Sequence, residues 1–195
     1  MSTEEIYTIT LRVIAILEAM SVNYELGGSL ASSVHGTPRS TLDADIVADL
    51  KSENVADLIR RLGSEFYADE QMIENAIRAK KCFNVIHLGT MLKLDIFPIK
   101  DTAFSRVEFS RRVQAHFPDA SGPLVWLSSP EDIILHKLVW YLEGGEVAKR
   151  QYSDVLGVLR VTRSTLDKAY LSKWAETLGV KHLLDRALLE AEPLN

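Results

Sequence analysis

The chain has 195 residues, with 22 lysines and arginines against 27 aspartates and glutamates, a net charge of −5 and one cysteine. That length supports one substantial core with a helical extension, and the mild acidity excludes a global basic footprint for nucleic acid. The lone Cys82 excludes an internal disulfide and suits a reducing compartment. The start of the chain is acidic and lacks a basic, apolar signal pattern, and no apolar run approaches a membrane span, so a cytoplasmic protein with no membrane partner is expected.

Residues 3–20 predict an amphipathic helix: Thr3 before Glu4-Glu5 starts it, and Ile6, Ile9, Val13, Ile16 and Leu17 form one apolar stripe. A turn at 21–23 leads into a strand at 24–26. Gly27 and Gly28 follow, and their lack of a Cβ permits a sharp turn and a close approach to a ligand. Ser29 stands where a helix would start, so free N–H groups around it favour an anion. A strand at 42–47 comes next, and period two places Asp43 and Asp45 on one face. Residues 52–62 predict a helix with Val55, Leu58, Ile59 and Leu62 inward, ended by Gly63. A further helix at 69–80 closes on positive charge. Strands at 83–87 and 91–98 pair through a turn at 88–90, and on the second of them Lys93, Asp95 and Phe97 share a face. Residues 101–112 form a short helix or ordered loop, and 113–117 and 124–127 are short strands flanking the turn-rich 118–123.

From Ser129 the composition turns helical. Ser129-Pro130-Glu131-Asp132 is a strong helix start, and helices are predicted at 130–142, 146–161, 166–178 and 180–191, with Gly144-Gly145 permitting a sharp bend. The fold class is therefore α/β (α+β). A small mixed sheet flanked by helices is expected over 1–127, with a C-terminal helical part over 128–195 packed on it.

Two neighbouring carboxylates repel each other and make poor core residues. A divalent cation relieves this, and hard oxygen ligands suit magnesium. An aspartate in the middle of an apolar strand is costly unless paired or metal-bound; Asp95 reads either as a third carboxylate of the cluster or as half of a pair with a lysine or arginine. Lys137 lies among Ile133, Ile134, Leu138 and Tyr141. A lysine there either needs an anion, which a triphosphate supplies, or snorkels at the helix edge. Arg39 suits the rim of a phosphate site. His35 reads as structural or as a substrate contact, His136 as solvent-facing or hydrogen-bonded, Glu25 as structural, Cys82 as packing, and Asp49 as exposed charge at a strand end.

Gly27-Gly28-Ser29, then Asp43-x-Asp45, then Asp95 on a later strand, together resemble the DNA polymerase beta-like nucleotidyltransferase superfamily. Ser129-Pro-Glu-Asp-Ile-Ile-Leu-His-Lys137, Gly144-Gly145, Lys149-Arg-Gln-Tyr-Ser-Asp154-Val155 and the later 171–179 are similar to a bacterial branch of it. That branch includes the AbiEii-type toxins of toxin–antitoxin pairs. The resemblance implies a magnesium-dependent enzyme that moves an NMP group from an NTP such as ATP to a hydroxyl or phosphate acceptor: tRNA, a protein or a small molecule. For a toxin it also implies an antitoxin protein as partner. It assigns Asp43, Asp45 and Asp95 as catalytic metal ligands, Gly28 and Ser29 as a phosphate cradle, and Lys137 with Arg39 as the charges that neutralise the leaving pyrophosphate. By position Arg150 and Asp154 match a basic–acidic pair that lines the toxins' nucleotide site. Two alternatives stand beside this reading: a catalytically degenerate fold that binds a nucleotide or a partner, and an unrelated domain carrying the motif by accident.

Overall fold

A computed structural model describes residues 3–41 and 43–192. Among them seven strands form one mixed sheet: β1 (Tyr24–Leu26), β2 (Asp43–Ala48), β3 (Phe66–Tyr67), β4 (Phe83–His87), β5 (Leu92–Pro98), β6 (Val113–His116) and β7 (Leu124–Leu127). Their order is β3-β4-β5-β2-β1-β7-β6. β2 runs parallel to β5 and β1 parallel to β7, and the other neighbours are antiparallel. Leu42, expected to open the second strand, lies outside the described residues.

The chain divides into two units. The first takes the chain up to Leu30 and Ser40–Leu127. It holds the sheet, whose period-two alternation separates an apolar face from a polar one. Ala44, Ile46 and Ala48 of β2, Leu92, Leu94 and Ile96 of β5, and Phe83 and Val85 of β4 are all buried. Helices α1 (Thr3–Ala19), α3 (Val55–Leu62) and α4 (Glu70–Ala79) belong to this unit. α1 packs on α3 and β2, and α4 packs on α3 and β4. Each contributes an apolar stripe: Ile6, Ile9, Val13 and Leu17 from α1, Val55, Leu58 and Leu62 from α3, and Ile73 and Ile77 from α4. Burying a side chain of this size stabilises the fold by about 1.5–3 kcal/mol. Asp69 caps α4 by accepting a hydrogen bond from the Met72 amide. Thr102 does the same, from Ser105, for α5 (Ala103–Ser110). The two-residue edge strand β3 is too short to leave a periodic signal in the sequence.

The second unit takes Ala31–Arg39 and the chain from Ser128 onward. Helix α2 (Gly28–His35) begins in the first unit and ends in the second. The rest is helical: α6 (Pro130–Glu143), α7 (Lys149–Thr162), α8 (Lys168–Thr177) and α9 (Lys181–Glu190). Ser129 caps α6, with Pro130 in the first turn, and Asp167 caps α8. α7 starts three residues later than its periodicity suggests. Gly145 and Glu146 both take left-handed backbone angles there, which no helix continues through. The segment that follows α2 runs hard against α7: a Cβ on Gly36 would stand 2.7 Å from the Val158 backbone nitrogen. No helix among the described residues is long and apolar enough to cross a membrane.

Candidate active site

The polar face of the sheet carries the charged residues, and strand register decides which of them meet. In the parallel β2–β5 pair Asp43 stands opposite Lys93 and Asp45 opposite Asp95. In the antiparallel β4–β5 pair Asn84 stands opposite Asp95. Asp43, Asp45, Lys93, Asp95 and Asn84 therefore line one face across three adjacent strands. Asp43 is exposed, and Asp45 and Asp95 are half-buried. Asp95 accepts a hydrogen bond from the Asn84 amide, and its Oδ2 lies 2.9 Å from the Lys93 ammonium. That hydrogen bond is the main cause of the raised Lys93 pKa, and the charges of Asp95 and Asp43 add to it. Cys82, just before β4, is exposed. Partial burial of its thiol, and then the Asp95 carboxylate, push that thiol up to about 11, so it stays protonated.

The turn from β1 into α2 closes onto this face. The Gly27 amide donates to the Asp45 carbonyl at 2.8 Å. Gly28 sits at φ +57°, and a Cβ built on it would lie 1.8 Å from Asp45 Oδ2. No other residue fits there: the backbone angle and the carboxylate both demand glycine. Asp45 is thereby held against the start of α2, where Ser29 is half-buried. Glu25, opposite Val47 in the β1–β2 register, is completely buried. Asp49 is exposed just beyond the end of β2.

The remaining predicted residues lie in the second unit. Lys137 on α6 does not snorkel: it is 1% exposed, and its anion is Asp154 on α7, at 2.8 Å. Arg39 grips the same carboxylate with two hydrogen bonds, of 2.7 and 3.0 Å. Burial pushes the Asp154 pKa up, but the hydrogen bonds from Arg39 and Lys137 outweigh it and hold the carboxyl below its ordinary value. His35 Nε2 meets the Ser128 carbonyl at 3.0 Å, and burial lowers its pKa. Arg150 is exposed. Sequence reasoning placed Lys137 among apolar neighbours but did not find Asp154 as its partner. The signal was the spacing: one lysine on α6 and one aspartate on α7, each interrupting an apolar stripe.

Among the described residues, no three histidine, cysteine, aspartate or glutamate side chains converge tightly enough to enclose a metal ion. Carboxylate oxygens are nevertheless the kind of ligand a hard divalent cation takes. Asp43, Asp45 and Asp95 offer carboxylate oxygens from one face, two of them side by side in register. The Lys93 ammonium rests on Asp95, the pairing with a lysine that the sequence left open for this residue.

The sequence matches no protein-family model and no curated protein. Solved structures do match. The solution structure of the antibiotic-resistance factor ANT(2'')-Ia aligns over 97% of each chain at 16% identity with a TM-score of 0.51. A crystal structure of ANT(2'')-Ia in complex with adenylyl-2''-tobramycin aligns over 93% of this chain and 97% of that one, at 17% identity and a TM-score of 0.50. An antigenic nucleotidyltransferase-like protein from Paracoccidioides brasiliensis aligns over 92% of this chain and 90% of its own, at 16% identity and a TM-score of 0.55. These likenesses establish the fold class: the mixed sheet and its helices are arranged as in those structures.

Proposed function

We propose that the chain is a magnesium-dependent nucleotidyltransferase that moves an NMP group from an NTP to an acceptor hydroxyl and releases pyrophosphate. The observation that carries this reading is the Asp45–Asp95 pair, aligned across β2 and β5 with Asp45 pressed onto Gly28 at the start of α2. Asp43, Asp45 and Asp95 would hold the cation, which when bound supplies charge neutralisation to the triphosphate and acidifies the acceptor hydroxyl. Asp95 accepts the acceptor's proton. Gly28 and Ser29 present backbone N–H groups and a hydroxyl to phosphate oxygens. Arg39 and Lys137, which the resemblance assigns to the leaving pyrophosphate, are both paired with Asp154 inside the second unit.

For the acceptor, the net charge of −5 weighs against a polyanion. The adenylylated tobramycin bound to ANT(2'')-Ia makes a small hydroxylated molecule the acceptor class we place first. A tRNA-modifying toxin held by an antitoxin is the second version of the same chemistry. The test is incubation with each radiolabelled NTP, magnesium, and cell RNA, protein and metabolites in separate fractions. Label in the metabolite fraction supports the first version, and label in RNA supports the second. Binding of magnesium–NTP without transfer to any fraction would leave a nucleotide-binding module and refute the enzyme.

A further inference from the structure

The helical unit carries a cleft that the proposed reaction does not use. It lies between α8 and α9, with residues of the α7–α8 connection also lining it, and has a volume of about 460 Å³. Small-molecule sites usually enclose about 300–1,000 Å³. The floor is apolar: Leu166, Leu171 and Leu184 line it and are buried. Leu189 lines it too, yet is 71% exposed. The lining charges do not cancel. Arg163, Lys168 and Lys181 stand against Asp185 and Glu192, a net charge of +1. Arg163 pairs with Glu192 at 2.7 Å, and Lys181 pairs with Asp185 one turn along α9. Lys168, exposed at the start of α8, has no ion-pair partner among the described residues. One ammonium is thus left over beside an apolar cleft.

We propose that this cleft binds a small amphipathic anion of the medium-chain fatty acid class, with its apolar chain on the leucines and its carboxylate on Lys168. The leucines favour an apolar body, because covering them removes apolar surface from water. The charge left over is single and positive, so an anionic head is preferred to a neutral or cationic one. The enclosed volume is that of a small ligand. None of this depends on nucleotidyl transfer, and none of these residues belongs to the carboxylate face of the sheet or to the network of Arg39, Lys137 and Asp154.

Sodium octanoate, octylamine and octan-1-ol serve as probes, because they share one chain length and differ in the charge of the head. Each is titrated into the full chain, with affinity from calorimetry and location from heteronuclear NMR. Octanoate is expected to saturate one site, to shift amides of α8 and α9, and to bind more tightly than the other two. Lys168→Gln should weaken octanoate about threefold to fivefold and leave octan-1-ol unchanged. Leu189→Asp sets a carboxylate beside the bound chain and should lose octanoate binding; at so exposed a position it should not disturb folding, which circular dichroism checks. Ser172→Phe, which fills the cleft from α8, serves as a second block. Equal affinity for octanoate and octylamine, or a Lys168→Gln variant that binds octanoate as the parent does, overturns the assignment. So do shifts that never saturate or that map outside α8 and α9. Binding of none of the three probes overturns it as well, and leaves the cleft to a partner protein.

Discussion

Asp154→Ala isolates the buried charge network of the helical unit. Asp154 accepts from Lys137 at 2.8 Å and from Arg39 at 2.7 Å, and the Lys137 side chain is only 1% exposed. Removing the carboxylate leaves an ammonium in a site that water scarcely reaches, and breaking a buried pair in this way costs about 3–5 kcal/mol. For a chain of this size that is a fall in Tm of roughly 10 °C. Lys137→Met acts differently. It removes the charge that is expensive to bury and leaves Asp154 with the two hydrogen bonds of Arg39. The cost should stay below about 2 kcal/mol, since a hydrophobe of similar length takes the place of the stem. The double variant should be more stable than Asp154→Ala alone, because the stranded ammonium is gone. Urea unfolding followed by tryptophan fluorescence reads all three; Trp140 is a local reporter, its ring centre 5.6 Å from the Lys137 ammonium. If Lys137→Met proves as costly as Asp154→Ala, or the double variant gains nothing, the asymmetry argued from burial is wrong.

Asp43→Asn and Asp45→Asn should each abolish nucleotidyl transfer while leaving thermal stability unchanged or slightly higher, since repulsion among the carboxylates is relieved; activity and melting are measured on the same preparation. Gly28→Ala places a methyl group onto Asp45 Oδ2 at a left-handed backbone position, and should lower stability by about 1–3 kcal/mol in urea and eliminate transfer. Burial lowers the His35 pKa, so the folded chain binds fewer protons there than the unfolded one. Stability from this group is complete above the unfolded value of about 6.5 and is lost as the pH falls through the lowered folded value. A Tm profile from pH 8 to 5 should show that loss, and His35→Gln should flatten it.

The periodic parts of the fold were legible. β1, β4 and β7 carry the bounds read from the sequence, and the α4 boundaries differ by one residue at each end, because hydrophobic alternation and capping residues are local signals. The parity argument also placed Asp43 with Asp45 and Lys93 with Asp95. Two things were not legible. The first is register: that Asp45 lies beside Asp95, and that Asn84 reaches the same carboxylate, depends on β2 inserting between β1 and β5, a long-range fact with no local trace. The second is the allegiance of residues 31–39, which group with the helices rather than with the sheet. It follows from the bare backbone at Gly36 and Gly157, where the segment meets α7, with a Cβ on Gly157 reaching Thr37 at 3.2 Å. Glycine spacing in a sequence does not say what the glycine lets in.

The same dependence on register makes the carboxylate face an all-or-none construction. β2 is a central strand, paired on one side with β1 and on the other with β5. A slip of one residue against β5 would turn Asp43 and Asp45 toward Ile46's side of the sheet and bring Ala44 to the polar face. Two aspartates would then replace apolar side chains in the core, at several kcal/mol each. The apolar alternation of Ala44, Ile46 and Ala48 therefore does more than bury surface: it selects the single alignment in which Asp45 meets Asp95. Gly28 reinforces that choice from outside the sheet, because the turn fits only when the Asp45 carboxylate lies over a residue without a side chain. Core and site are specified by the same six residues of β2, so substitutions at Ala44 or Ile46 that disturb packing should impair the proposed chemistry without touching a charged group.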